Sequence, residues 1–296
     1  MSNTPSVSGL DKKSLELRKE IINIMKKAGR GHPASALSIV EMLRVLYDNI
    51  LKYDSKNPKW ALRDRFILSK GHGCLALYAV LAEKGFFPKK ELEQFCTMEG
   101  ILGGHPEITV PGVEASTGSL GHGLSIGIGM ALNAKYEKAK HRVFVIVGDG
   151  ECNEGAIWEA AMCASKHKLD NLVVLVDYNK CQSYGPVCYV QELEPFADKW
   201  KSFGFGVKEI NGHDIKEIKK TLSSVPLVKD KPSVIICHTV KGKGISFMEN
   251  DTKWHHPKMT PEDYDKIYKE LEHDKELDYS EIGYTEYAHD SKGGSV

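Results

Sequence analysis

The chain alternates between stretches with apolar residues at helical spacing and short runs that are apolar at nearly every position. Leu15, Ile21, Ile22 and Met25 predict a helix over residues 11–28, and Ile39, Leu43, Leu46 and Ile50 predict another over 36–51. A short strand is expected at Arg65–Leu68, then a helix from about His72 to Lys84 closed by Gly85. A short helix opened by Pro88 and a Gly/Pro-rich loop from about Gly100 to Ser119 follow. Beyond them the pattern is regular: helix 121–140, strand 142–147, helix 154–167, strand 171–176, helix 192–202, strand 206–210, helix 214–224, strand 233–237. Strands that are apolar on both faces and separated by helices predict an α/β fold, a mostly parallel open sheet with helices on both faces. In such sheets ligands sit in the crevice beyond the carboxyl ends of the strands. Candidate chemistry is therefore sought at those ends.

Charge narrows the classes. Forty Lys plus Arg balance forty Asp plus Glu, with no long block of one sign. That argues against a protein that grips nucleic acid or an anionic membrane through bulk charge. The longest aliphatic runs, Val143–Val147 and Leu172–Val176, are strand-sized, far short of the roughly 20 residues a membrane helix needs. No membrane association is expected. The opening MSNTPSVSGLDKK carries no apolar h-region, so the expected address is the cytoplasm. Seven cysteines fit that address, being odd in number, without a C-x-x-C and mostly within apolar stretches, where buried free thiols are expected. With 296 residues and 41% hydrophobic content a sizeable core can form. The polar last 25 or so residues, including Lys292-Gly293-Gly294-Ser295, read as a loosely attached tail. The division is a domain over 1–270 and a tail over 271–296.

No G-x-x-x-x-G-K-[ST] and no G-x-G-x-x-G occurs, which argues against a P-loop or a standard dinucleotide-binding domain. Five of twelve histidines, His32, His72, His105, His122 and His213, directly follow a glycine, where about one would by chance. Any one of them alone is more simply a surface or satisfied histidine. Four of the five fall at segment junctions near the sheet edge and together favour a site, whereas His213 reads as part of a helix start with Asp214 as its cap. The sharpest feature is a buried strand ending in Gly148-Asp149-Gly150 and feeding a helix, followed one strand later by Val176-Asp177-Tyr178-Asn179. Amides at a helix N-terminus can receive a diphosphate. Asp149 and Asn179 would lie side by side at neighbouring strand ends, offering a carboxylate and an amide oxygen. With a loop carbonyl, two phosphate oxygens and one water, these complete the octahedral oxygen shell that Mg²⁺ demands. Gly-Asp-Gly alone is a common turn; the strand before it, the helix after it and the second strand ending in Asn favour the site.

This run from Gly148-Asp149-Gly150 to Asn179 resembles the thiamine-diphosphate motif, and the chain more narrowly resembles the N-terminal, diphosphate-binding part of transketolases. Gly31-His32-Pro33-Ala34-Ser35, Leu68-Ser69-Lys70-Gly71-His72, Gly104-His105-Pro106-Glu107, Thr117-Gly118-Ser119-Leu120-Gly121-His122-Gly123, the stretch Gly148 to Ala160, and Lys241-Gly242-Lys243-Gly244 followed by Trp254-His255 match in order. The likeness covers about residues 10–270. It implies the thiamine-diphosphate-binding, PP-type fold and transfer of a two-carbon ketol unit from a ketose phosphate to an aldose phosphate. By that likeness Asp149, Asn179 and the main-chain carbonyl of Cys181 hold Mg²⁺, with Ca²⁺ or Mn²⁺ as alternatives. Ser35, Lys70, His72, Gly118, Leu120, Gly148, Gly150 and Glu151 lie with Asp149 and Asn179 around the cofactor. His32, His72, His105 and His255 surround its reactive carbon and the sugar, where imidazoles suit proton transfer near neutral pH. Glu154 and Glu159 meet their symmetry mates between subunits, and Trp158 with Ala160-Ala161-Met162 suggests a largely buried helix there.

Two residues depart from the likeness. His122 stands where transketolases usually carry Gln, and His256-Pro257-Lys258 follows His255 where the family often has Gly-Lys-Pro, which leaves donor and acceptor preference open. A larger departure is the missing second domain, which in the family supplies a carboxylate against the aminopyrimidine and the sugar-phosphate arginines. The resemblance therefore implies one part of a split transketolase, paired with a C-terminal pyrimidine-binding subunit in an α2β2 heterotetramer. The alternatives are a split enzyme for a modified sugar, a 1-deoxyxylulose-phosphate synthase-like or 2-oxo-acid dehydrogenase alpha-type enzyme, and a non-catalytic thiamine-binding scaffold.

Overall fold

The computed structural model describes residues 10–272. Five strands, β1 (Arg65–Leu68), β2 (Val143–Gly148), β3 (Leu172–Tyr178), β4 (Gly206–Asn211) and β5 (Ser233–His238), form one all-parallel sheet in the order β1-β2-β3-β5-β4. The central pair is in register from Val143 against Leu172 to Gly148 against Asp177. Every residue of β2 and β3 is buried, as two covered faces require.

Alternation along the strands builds two cores. Phe66, Phe144, Ile146, Val173, Leu175 and Ile235 point to one face, against α1 (Lys12–Ala28), α2 (Pro33–Leu37), α3 (Val40–Val45) and α4 (Cys74–Glu83). Ile67, Val145, Val147, Val174, Val176 and Ile236 point to the other, against α5 (His122–Tyr136) and α6 (Gly155–Lys166). The short α7 (Val187–Val190) precedes α8 (Phe196–Ser202), which packs on this second face through Phe196 and Trp200; α9 (Ile215–Leu222) and α10 (Pro261–Glu272) complete the first. Among the described residues no helix is long and apolar enough to cross a membrane.

Local signals explain the boundaries. Asp11 caps α1 by accepting from the Ser14 amide, and Gly29 ends it in a left-handed conformation at φ 66°. Asp214 caps α9 by accepting from the amides of Lys216 and Glu217, as the sequence suggests. The helix expected over 36–51 is instead broken: α2 starts earlier, at Pro33, the chain turns at Ser38, and α3 runs into a π turn over Leu46–Ile50. The reason is tertiary, since Ser38 Oγ donates to the buried Asp177 carboxylate at 2.7 Å. The helix expected from 192 starts only at Phe196, and α10 carries Leu271 into the core. Of the tail expected over 271–296, residues 273–296 lie outside the described residues.

Candidate functional site

The carboxyl ends of β1, β2, β3 and β5 converge with the turn between α1 and α2. At the end of β2, Asp149 is buried; its Oδ1 accepts from the Gly150 amide at 2.7 Å and its Oδ2 from the Lys180 amide at 2.5 Å. Burial and the neighbouring Asp177 push its carboxyl up to about 7. At the end of β3, Asn179 Oδ1 accepts from the Cys181 amide at 3.0 Å, and the Cys181 carbonyl accepts from Lys241 Nζ at 3.1 Å. Burial, then Lys70, lowers the Lys241 ammonium to about 8.

Beneath these groups lies an anchor that the sequence motifs do not announce. Asp177, fully buried, accepts from Lys70 Nζ, Thr239 Oγ1, Ser38 Oγ and Asn179 Nδ2. Burial alone would raise its carboxyl; Lys70 first, then the hydroxyls, hold it below the usual range. Lys70 also donates to the Ser35 carbonyl at 3.0 Å, so its ammonium binds the chain to itself. Period-two spacing from Asn179 is the available signal, since residues 177 and 179 share one side of a strand. Glu151 is likewise occupied: it accepts from Ser69 Oγ and from the amides of Gly121 and Gly148 at 2.9 and 3.0 Å. Both its oxygens are engaged, tying the Ser69 and Gly121 loops to the end of β2.

Three observations fit a diphosphate and a cation here. The Asp149 carboxylate is buried with only backbone amides hydrogen-bonded to it among the described residues. Gln182 Nε2 is buried with no partner among the described residues, beside Gly150, where a Cβ would meet Gln182 Cγ at 2.9 Å. Gly118, at φ 147°, allows its loop to pass so close to Gly71 that a Cβ on Gly71 would lie 2.8 Å from the Gly118 nitrogen. Leu120, half-buried, follows on the same loop, and its carbonyl meets the ring of the exposed His122 at 3.1 Å.

Above the cradle the imidazoles gather. His32 lies 5.6 Å from His72, 6.2 Å from His105 and 5.2 Å from His255, ring centre to ring centre, and His72 lies 5.3 Å from His255. A fifth, His256, which the sequence marks only as a departure from the family pattern, sits 4.6 Å from His32. His213 does not join them. It is buried, its Nδ1 is 2.8 Å from Glu41 and its Nε2 accepts from the Val240 amide. Ser35 Oγ is 3.5 Å from His255 Nδ1. Burial, reinforced by neighbouring imidazoles and lysines, lowers His32 to about 4 and His255 to about 3, and burial lowers His72 and His105 in the same direction. The folded chain therefore takes up these protons later than the unfolded chain as pH falls, and the rings stay neutral. Nitrogen-15 NMR at pH 5.5 should show His32 and His255 as neutral imidazoles; imidazolium signals there would refute the assigned environment.

Glu154, at the N-cap of α6, and Glu159 within it lie apart from the site, both exposed, and Met162 on the same helix is 56% exposed. The helix is two-faced: Ile157, Ala160, Ala161 and Ala164 are buried, so the expectation of a largely buried helix holds for one face only.

Among families, the model for "Transketolase, thiamine diphosphate binding domain" matches residues 12–293. An apulose-4-phosphate transketolase subunit from Phocaeicola vulgatus is 43% identical over 90% of this chain and 94% of its own length. A 6-deoxy-6-sulfo-D-fructose transketolase subunit from Clostridium sp. is 42% identical over 86% and 94%. The solved transketolase from Leishmania mexicana superposes with a TM-score of 0.82 at 31% identity, over 91% of this chain and 42% of that one. The chain spans about two-fifths of such full-length enzymes and nearly all of the separate subunits.

Proposed function

The chain belongs to the family of transketolase thiamine-diphosphate-binding domains, and from that premise we propose that it is the N-terminal subunit of a split transketolase, moving a two-carbon ketol unit from a ketose to an aldose. The observation that carries this reading is the convergence of four neutral imidazoles above the Asp149–Asn179 cradle. Thiamine diphosphate, when bound, supplies the nucleophilic carbon to which the ketol unit is transferred. Asp149, Asn179 and the Cys181 carbonyl would hold a divalent cation, Mg²⁺ by its preference for oxygen ligands, with Ca²⁺ or Mn²⁺ able to substitute. Gly118, Leu120, Gly148 and Gly150 would bring backbone close to the diphosphate. Ser35, Lys70 and Glu151 act through the loops they fix.

Neutral imidazoles can accept a hydroxyl proton and return it, which protonated ones cannot. Ser35 Oγ engages His255 Nδ1 and leaves Nε2 for the sugar. His32, His72 and His105 share the task of orienting the sugar oxygens and holding the transferred proton. The relatives' names, apulose-4-phosphate and 6-deoxy-6-sulfo-D-fructose, favour a modified ketose as donor. The partner is a pyrimidine-binding subunit. An α2β2 assembly would join two copies of this chain through Glu154 at the start of α6 and the exposed face bearing Glu159. Seven free thiols suit a reducing cytoplasm. Supplied with thiamine diphosphate and Mg²⁺, the isolated chain should transfer no ketol unit, and adding the pyrimidine-binding subunit should restore transfer. Robust turnover by the chain alone would refute the split reading.

A further inference from the structure

A cavity of about 280 Å³ opens beside the imidazoles, lined by His32, His105 and His256 together with Arg30, Phe95 and Cys96. Both Arg30 and His256 are exposed, and Arg30 makes no ion pair among the described residues. Among the described residues no carboxylate lines this cavity; its charged and titratable lining, apart from the two thiols, is one guanidinium and three imidazoles. His256 reaches it because it packs 4.6 Å from His32, whereas Lys258, the displaced lysine of the sequence, is not among the lining residues.

Resting on the split-transketolase reading, we infer that this chain itself reads the anionic end of the sugar: Arg30, assisted by His256, binds the distal phosphate or sulfonate while the carbonyl end meets His32, His105 and His255. The geometry supports this from three sides. The cavity is continuous with the imidazoles, so one extended molecule can occupy both. A guanidinium without a carboxylate partner presents planar paired donors that match a tetrahedral oxyanion. Lys241 and Lys70 already place positive potential on His32, which favours an oxyanion beside it. The sugar-phosphate charge is thus recognised from both subunits, where the family resemblance places the phosphate-binding arginines on the partner.

The test uses the chain paired with its pyrimidine-binding subunit. It compares kcat/KM for a 6-phosphorylated ketose, a 6-sulfonated ketose and the uncharged four-carbon ketose erythrulose. In Arg30→Gln the ratio of charged to uncharged donor should fall about 10- to 100-fold, as loss of one charge-assisted hydrogen bond implies, mainly through KM. Arg30→Lys should recover part of it, and the donor with the larger fall identifies the oxyanion. Arg30 is exposed, so folding is not at stake. An unchanged ratio in Arg30→Gln overturns the inference and leaves the function standing. An unmodified pair inactive on every ketose overturns the functional reading and this inference with it.

Discussion

Asp149→Ala is expected to weaken cation-dependent thiamine-diphosphate binding by about 100-fold or more in the reconstituted pair, with Asn179→Ala close behind. Even residues that only orient a metal ligand typically carry about 10- to 100-fold in affinity, and these two side chains would touch the ion directly. Asp149 is suited to the loss. It is buried, its two oxygens hold only backbone amides among the described residues, and burial with Asp177 nearby pushes its carboxyl up to about 7. Removing it should therefore leave the stability of the cofactor-free chain nearly unchanged while abolishing the response to Mg²⁺. Calorimetric titration of the cofactor with and without Mg²⁺, alongside the melting temperature, reads both. Unchanged affinity in both variants would mean the cation is held elsewhere.

The second large effect concerns stability. Asp177→Ala should destabilise the chain by about 3–5 kcal/mol, the usual consequence of removing one partner of a buried ion pair. Lys70, 2% exposed, would keep a buried charge with, among the described residues, the Ser35 carbonyl as its remaining acceptor, and three further donors would lose theirs. Urea denaturation of the chain measures the change. Asp177→Asn is the milder companion, because it keeps one acceptor oxygen while removing the charge and turning the other oxygen into an NH2 donor. A loss below about 1 kcal/mol for Asp177→Ala would show that Lys70 finds another partner, and would remove the anchor from under the cradle.

Much of the molecule was legible because its signals are contiguous. The runs Val143–Val147 and Leu172–Val176 are apolar throughout, and the structure buries them on both faces. Asp149 and Asn179 lie at neighbouring strand ends because a parallel pair in register brings Gly148 opposite Asp177. What escaped depends on partners remote in sequence. Helical spacing over 36–51 is real, yet the Ser38–Asp177 bond turns the chain within it. His213 looked like a helix-start residue, but its ring bridges Glu41 and the Val240 amide, tying α3 to the loop that carries Lys241. Nothing near Met162 announced its exposure, because an apolar side chain on an amphipathic helix reads the same whether a core or another copy of the chain covers it.

By itself the sequence determined the α/β order, the mostly parallel sheet and the strand ends where chemistry collects, since hydrophobic periodicity and glycine placement act over a few residues. Only the tertiary structure decided that a further histidine joins the four the resemblance groups, and in what protonation state the buried rings rest. His32 and His255 come from opposite ends of the chain to lie 5.2 Å apart, and a fifth imidazole, His256, joins them. The low affinity of these rings for protons arises from burial and from one another. Neither exists until the sheet has folded, because desolvation and Coulomb interaction depend on distances through space rather than along the chain.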